Sequence, residues 1–519
     1  MMAKQRGTRR FLRLAALTGI VSAAAFLAVA ELLALLVARG ASPLLAVGSF
    51  VIDIVPQPFK EFAIATFGEY DKIALLVGLG LAVLIASAIA GVLELIRPPF
   101  GAMALGLAGV LSVAAAVTRA GATAVSWIPS VAGAIVGAAL LVVLGRMLRA
   151  WRQGVSAPSR TEAGVARRRF LLVGGAAAAG ALVIGVGSRV AVATTSSIAA
   201  VRRALRIPEP RTTVVVPAGA ELDIPGLAPL YTPNKDFYRV DTALTVPSID
   251  PGTWRLAVVG MVHTPLELTF DELVGMGLEE YSVTLTCVSN EVGGDLLGTA
   301  KWWGVPIRDV LRAAGPAAGA DMVLSRSVDG FTASTPLQSL TDDGLDAILA
   351  VAMNGEPLPL EHGFPVRMVV PGLYGYVSAT KWLTELKVTT FAEDEAYWTP
   401  RGYSAKAPIK MSSRIDTPRP GSPVAAGRVA IAGVAWAQTI GIDRVEVSID
   451  DGDWQPAALS TAVNADTWVQ WYVDWDASPG THYVMVRAVN AVGEVQTQER
   501  APIAPDGSSG WQRTLVTVA

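Results

Sequence analysis

Apolar runs long enough to cross a lipid bilayer, separated by arginine clusters, fill the first 190 residues of this 519-residue chain, and they restrict its fold more than any other feature. A bilayer core of about 30 Å takes roughly 20 apolar residues per helix. Inside it every backbone N–H and C=O must be satisfied within the protein, so a spanning segment is a helix or a barrel strand. Five runs have helical length, at residues 14–38, 73–96, 101–119, 124–146 and 170–187. Pro98-Pro99 breaks the second from the third. The piece from Pro43 to Tyr70, with Pro56 and Pro58, is half apolar and half charged, and is expected to lie along an interface. A composition of 52% hydrophobic and 17% charged residues agrees with a protein that is membrane-embedded in part. The net charge of -2 gives no support for a nucleic-acid partner.

The arginines set an expected orientation. Lys4, Arg6, Arg9, Arg10 and Arg13 precede the first run, Arg97 lies between the second and third, and Arg146, Arg149, Arg152, Arg160 and Arg167 to Arg169 lie between the fourth and fifth. On the other side Asp53, Glu61, Glu69 and Asp71 offset Lys60 and Lys72. Positive loops stay in the cytoplasm, which places everything beyond about residue 190 outside the cell membrane after five crossings. Arg167-Arg168-Arg169-Phe170-Leu171-Leu172 before an Ala/Gly-rich stretch reads either as an ordinary cytoplasmic flank or as a twin-arginine export signal, which would deliver a folded protein. Ala191-Val192-Ala193 has the look of a cleavage site, but an uncut anchor is expected, because cutting would separate the two halves. All three histidines, His263, His362 and His482, fall beyond the spans, so the helices hold no bis-histidine haem. Glu31 is the one acid read as lying well inside a span; it marks a proton or quinone site, or it snorkels or pairs with a neighbouring helix.

The second half has ordinary soluble composition. A proline-rich linker from Ile207 to Pro233 leads into residues 234–400, where short alternating strands (Trp254 to Val259) mix with short helices (Ile307 to Ala314 and Ala347 to Met353), an α+β pattern. From about residue 405 the texture changes. Alternating strands at Val429 to Trp436, Asp443 to Ile449 and His482 to Val489, with turn signals Asp451-Gly452 and Pro479-Gly480, predict an immunoglobulin-like β-sandwich. The expected organisation is therefore multi-domain: a helical membrane domain at 1–200, a linker at 201–233, an α+β domain at 234–400 and the sandwich at 401–519.

Cys287 is the chain's one cysteine. It has no partner for a disulfide and too little company for an iron–sulfur cluster. Free cysteines are usually small buried apolar residues. This one follows an alternating strand, Tyr281 to Thr286, and opens the polar glycine-rich loop Val288-Ser289-Asn290-Glu291-Val292-Gly293-Gly294-Asp295. A thiolate at such a strand end is a candidate nucleophile or soft metal ligand.

Four motifs in order give the chain a resemblance to the sulfite oxidase superfamily of molybdopterin enzymes, over about residues 230–519. They are Thr286-Cys287-Val288-Ser289-Asn290; Gly298-Thr299-Ala300-Lys301-Trp302-Trp303-Gly304-Val305-Pro306; His362-Gly363-Phe364-Pro365-Val366-Arg367-Met368-Val369-Val370-Pro371-Gly372; and Lys381-Trp382-Leu383. The resemblance implies a molybdenum–molybdopterin cofactor with Cys287 as both metal ligand and catalytic residue. It implies that Asn234, Phe237 and Tyr238 hold the pterin from an early loop, that Ser327, His362 and Arg367 contact it, and that Ala379, Thr380 and Lys381 close the other side, largely through backbone. Arg367 as a bidentate fork and Lys381 as a point charge suit the cofactor phosphate. The bland alternatives are a turn cap for His362, a surface ion pair for Arg367 and a core position for Tyr238. Trp302 and Trp303 read as core and cofactor wall. The sandwich resembles the family's dimerisation domain, which implies a homodimer.

Two departures bear on the reaction. Sulfite oxidases carry an arginine soon after the cysteine, where this chain has Glu291 or Val292, and an active-site tyrosine where it has Val351. An acid beside the metal would disfavour sulfite. The expected activity is therefore two-electron oxygen-atom transfer at an extracytoplasmic molybdenum centre, with reduction of a small-molecule sulfoxide or related oxo compound. The alternatives are oxidation of a sulfur compound and a non-catalytic protein with a degenerate cofactor fold. With no Cys-x-x-Cys-His motif, electrons are expected to pass through a separate protein partner or a quinone.

Overall fold

The computed structural model describes residues 2–37, 42–55, 59, 66–67, 71–118, 122–155, 160–194 and 197–519. These form two compact units, Met1–Ser197 with Ala243–Thr245, and Ile198–Thr242 with Val246–Ala519.

The first unit is helical: α1 (Met2–Val37), α2 (Pro43–Ile54), α3 (Asp71–Ile96), α4 (Phe100–Val117), α5 (Ile128–Val155) and α6 (Arg160–Thr194). Among the described residues, five helices are long and apolar enough to cross a membrane, within Arg9–Val37, Lys72–Ile96, Phe100–Val117, Ile128–Gly154 and Gly164–Gly185. The fourth continues past its expected end through Arg146, Arg149 and Arg152, because arginine is a good helix former and nothing there breaks the ladder. Of the interface segment expected over Pro43 to Tyr70, the first part is α2, capped by Ser42 Oγ, which accepts from Leu45 N–H at 3.4 Å. Pro56, Pro58, Lys60, Glu61, Glu69 and Tyr70 lie outside the described residues.

Small residues let the helices touch. A Cβ on Gly19 of α1 would strike the Ser87 carbonyl of α3, and one on Gly91 would strike the Ala15 carbonyl. Phe11, Trp151 and Phe170 join α1, α5 and α6, with Arg10 5.2 Å from the Trp151 ring centre. The expectation of a lone intramembrane acid is corrected here. Glu94 of α3 is 1% exposed; its Oε1 lies 3.7 Å from Arg149 Nη1 and its Oε2 accepts from Ala102 N–H at 3.2 Å. A buried carboxylate needs such partners. Glu31 accepts from Ser42 Oγ at 2.7 Å.

The second unit opens with a short helix, α7 (Ser197–Ala204), and the extended stretch to Pro233, then builds one mixed and one antiparallel sheet. One runs β2 (Leu266–Thr269), β1 (Arg255–Gly260), β10 (Leu383–Thr389), β5 (Met322–Ser327), β6 (Thr332–Pro336), with only the β1–β10 pair parallel. The other runs β3 (Glu279–Thr286), β4 (Leu297–Pro306), β7 (Ile348–Met353), β8 (Glu356–Pro357), with β9 (Arg367–Val369) also on β7. The helix expected at Ala347 to Met353 is thus a strand. All six residues of β7 are buried and pair with β4 and β9. An unbroken apolar run of this length suits an interior strand as well as a buried helix turn. The helix expected at Ile307 to Ala314 is present.

Beyond residue 411 two four-stranded sheets face each other: β11 (Ser412–Thr417), β12 (Gly427–Trp436), β16 (Val469–Ala477), β15 (Ala458–Leu459); and β14 (Gln455–Pro456), β13 (Ile442–Ile449), β17 (Gly480–Asn490), β18 (Gln512–Val518). Their shared core includes Ile431, Val445, Trp471, Val484, Val486 and Val516, the inward residues of alternating strands.

Candidate functional site

β3 delivers Cys287 to a partly open cleft of about 130 Å³, and the local chain explains why it stops there. Cys287 N–H donates to the Leu296 carbonyl at 2.9 Å, which closes the loop at its base. Asn290 N–H donates to the Cys287 carbonyl at 3.1 Å, and Asn290 Oδ1 accepts from Leu296 N–H at 2.9 Å. Ser289 N–H lies 3.4 Å from the sulfur. Burial pushes the thiol up from its ordinary range, while Ser289 and the charge of Lys381 pull the other way. A cation or metal in the cleft would complete the shift to thiolate.

Arg367, at the start of β9, also lines the cleft and is 5% exposed. Its donors reach only carbonyls: His362 O at 3.2 Å, Met368 O at 3.3 Å and Ala379 O at 3.4 Å. Its guanidinium lies 5.1 Å from the Trp302 ring centre. Desolvation brings its pKa down to about 10. A buried cation without a carboxylate among the described residues is suited to an incoming anion. Lys381 differs. Its ammonium donates to Asp241 Oδ2 at 2.7 Å and to Glu361 O at 3.1 Å, and burial lowers its pKa to about 8 against the raising effect of Asp241. Asp241 also accepts from Arg239 Nε at 2.8 Å.

His362 ends a single tight turn, Leu360–His362, that Gly363 terminates at φ 110°. Its Nε2 faces the Asn234 carbonyl at 3.1 Å, and since a carbonyl only accepts, Nε2 carries the proton and donates. Burial first and Arg367 second lower its pKa to about 4, so the ring is neutral near pH 7. Phe237 and Tyr238 stack at 5.3 Å and both line the cleft, and burial pushes the Tyr238 phenol far up. Ser327 and Ala379 line it as well. Ser327 Oγ is buried with no hydrogen-bond partner among the described residues. An orphaned hydroxyl in the same cleft as a guanidinium that meets no carboxylate among the described residues fits a bound group rich in acceptors.

The side chains of Asn234 and Thr380 point elsewhere. The Asn234 side chain donates to Met353 O and Glu356 Oε1 and accepts from Asn354 Nδ2 at 2.9 Å, so only its backbone serves the site, through His362. Thr380 Oγ1 shares a hydrogen bond with Ser325 Oγ at 2.7 Å. Trp302 and Trp303 sit outside the cleft lining; Trp302 packs behind Arg367. The electrostatic argument built on Glu291 and Val351 is also corrected: Glu291 is exposed, Val351 is fully buried in the apolar core, and neither lines the cleft. The loop turns its acid outward, and β7 alternates Val351 away from the site.

Sequence reasoning missed Asp241 and Asp329 on the cleft wall, and an aromatic side formed by Phe331, Tyr376, Trp398 and Tyr403. Tyr403 lies 5.6 Å from Tyr376 and 5.2 Å from Trp398, ring to ring, and Tyr376 Oη donates to Ser404 O at 2.6 Å. Single aromatics on loops carry no periodic signal. They become visible only when the fold gathers them.

Residues 243–398 match the family model described as an oxidoreductase molybdopterin binding domain. The chain is similar to mitochondrial sulfite oxidase of Homo sapiens, 33% identical over 339 residues covering 56% of this chain and 62% of the relative. It is similar to sulfite oxidase of Gallus gallus, 30% identical over 52% of this chain and 69% of the relative. It is also similar to the NAD(P)H nitrate reductase of Hordeum vulgare, 35% identical over 30% of this chain and 20% of the relative. The chain thus spans about three fifths of the length of the human sulfite oxidase it matches. The cofactor these relatives imply is molybdenum–molybdopterin, and the cleft fits it through one soft ligand, one partner-poor guanidinium and one orphaned hydroxyl. Replacing Arg367 by Ala is expected to lower the pterin content of purified protein at least tenfold under limiting cofactor, since a charge-assisted hydrogen bond is worth roughly 1.5–3 kcal/mol. Arg367→Lys should recover only part of it. Unchanged pterin content in Arg367→Ala would place the anionic end of the cofactor elsewhere.

Proposed function

Since this chain belongs to the sulfite oxidase family of molybdopterin oxidoreductases, we propose that it is a membrane-anchored molybdenum enzyme that moves one oxygen atom and two electrons, reducing a sulfoxide or related neutral oxo compound. The observation that carries the reading is the meeting of Cys287 and Arg367 in one cleft. The bound cofactor would supply the two-electron couple and the oxygen-transfer site. Cys287, as thiolate, would ligate the metal. Arg367 would hold the anionic part of the cofactor, with His362 as a neutral hydrogen-bonding neighbour and Ser327 Oγ as a further donor. Phe237, Tyr238 and the backbone at Ala379 would wall the pterin, and Lys381 with Asp241 would supply a charge-balanced edge.

The cleft chemistry supports a neutral substrate. Its two lining cations face two lining carboxylates, Asp241 and Asp329. Arg326 and Lys301 pair with Glu385 and Glu280 and do not line the cleft. The aromatic side of Phe331, Tyr376, Trp398 and Tyr403 favours apolar substituents over a small hydrated anion. The kinship to sulfite oxidases favours a second reading, oxidation of a sulfur compound. Steady-state assays separate the two. With molybdenum-loaded protein and an artificial electron donor, a sulfoxide should be turned over at least a hundredfold faster than sulfite is oxidised with an artificial acceptor. Efficient sulfite turnover would overturn the reductive reading.

We read the facing C-terminal sheets as an immunoglobulin-like sandwich and as the site of a homodimer, and the catalytic half as extracytoplasmic. The arginine distribution supports that side, and the Arg167-Arg168-Arg169 run supports export in a folded state. Electrons would come from a separate protein or a quinone. With Arg167, Arg168 and Arg169 all changed to Lys, a reporter fused at Ala519 should stay in the cytoplasm. A reporter that still reaches the outside would remove the twin-arginine route.

A further inference from the structure

β3 is the outer strand of its sheet and pairs only with β4. An edge strand presents unpaired N–H and C=O groups. At its start the Glu280 N–H goes to the Thr212 carbonyl at 3.0 Å, and nearer the cysteine the C-terminal region takes them. Thr284, three residues before Cys287, is fully buried, and its three polar groups all reach that region. Its N–H donates to the Asp466 carbonyl at 3.0 Å, its carbonyl accepts from Gln438 Nε2, and its Oγ1 accepts from Trp468 N–H at 2.9 Å. Two residues earlier the Ser282 carbonyl accepts from Asn464 Nδ2 at 3.0 Å. Gln438 also holds the chain ahead of the cleft residues Gly375 and Tyr376, because its Oε1 accepts from Gly372 N–H at 2.7 Å.

The far side of Cys287 is held in the same way. The Asn290 carbonyl accepts from Ser508 Oγ at 2.7 Å, and the Gly294 carbonyl accepts from Arg414 Nη1 at 3.1 Å. Gly293 sits at φ +83°, and a Cβ there would come within 2.8 Å of the Gln512 side chain. Gln512 is fixed in turn, since its Oε1 accepts from Ile415 N–H at 2.7 Å. Gln438, Arg414, Ser508 and Gln512 do not line the cleft themselves. They grip the backbone on both sides of the one residue that carries sulfur into it.

We propose that the C-terminal sheets act as a positioning device for Cys287, with Gln438 and Ser508 as the positioning residues that fix the strand before the sulfur and the loop after it. A reactive sulfur on a strand edge that could fray would sample many places; these contacts leave it one. The role is separate from any part the sheets play in dimerisation.

The chain's single cysteine gives a direct readout, because alkylation of cofactor-free full-length protein in detergent reports on Cys287 alone. Gln438→Ala and Ser508→Ala should each raise the rate of iodoacetamide labelling roughly three- to tenfold, the factor one lost hydrogen bond gives a local opening equilibrium. The melting temperature should stay within a few degrees of the parent, and Ser508→Thr, which keeps the hydroxyl, should restore the parent labelling rate. Should Gln438→Ala fail to fold, the Ser508 pair carries the test alone. Parent labelling rates in the Ala variants would overturn the proposal. In molybdenum-loaded protein the same Ala variants should shift the metal–thiolate absorption band, an arm that rests on Cys287 being the ligand. Faster labelling with an unmoved band would overturn that ligand reading and leave the positioning role standing.

Discussion

A guanidinium taken out of water without a carboxylate to meet it is among the least favourable groups a fold can contain. Arg367 is held in that state by three carbonyls and the face of Trp302. Its neighbours follow from it. His362 stays neutral partly because that charge lies beside it, and the Tyr238 phenol is held as a neutral acceptor or donor by burial. Lys381, by contrast, is balanced by Asp241. The cleft therefore holds one cation with no carboxylate contact among the described residues, in the same lining as the sulfur of Cys287. A ligand that is anionic at one end and soft-metal at the other answers both.

The two units carry different burdens. In the helical unit, small residues at the α1–α3 crossing and the Glu94–Arg149 pair specify packing where the hydrophobic effect gives little direction. In the other unit one mixed and one antiparallel sheet bury a conventional apolar core, and the site lies where β3, β9 and the loops around them converge. The C-terminal sheets are joined to that place by hydrogen bonds to backbone rather than by apolar contact alone, which gives them control over geometry.

Much of this is legible in the chain. The alternation of Tyr281 to Thr286 marks β3, the polar glycine-rich loop to Asp295 marks its end, and each of the five apolar runs overlaps one helix, though α1, α5 and α6 extend well past them through their arginine-rich flanks. Ile348 to Met353 is not legible as a strand, because a short run without period fits two structures, and only pairing with β4 and β9 decides between them. Glu94 hides at the end of an apolar run next to Arg97, where it resembles a flanking charge. Asp241 and Lys381 are 140 residues apart, so no local pattern announces their contact. The outward turn of Glu291 is likewise a property of the folded loop, and a position in a motif does not say which way a side chain faces.

The proposed ligation of molybdenum by the Cys287 sulfur, presented just beyond β3 in the cleft that Arg367 also lines, is open to a direct test. The most direct measurement is molybdenum K-edge X-ray absorption on loaded full-length protein and on Cys287→Ser. The parent should show one more sulfur neighbour than the cofactor itself supplies, and that neighbour should be lost in the variant while the pterin remains bound. An identical sulfur count in the two proteins would contradict the account.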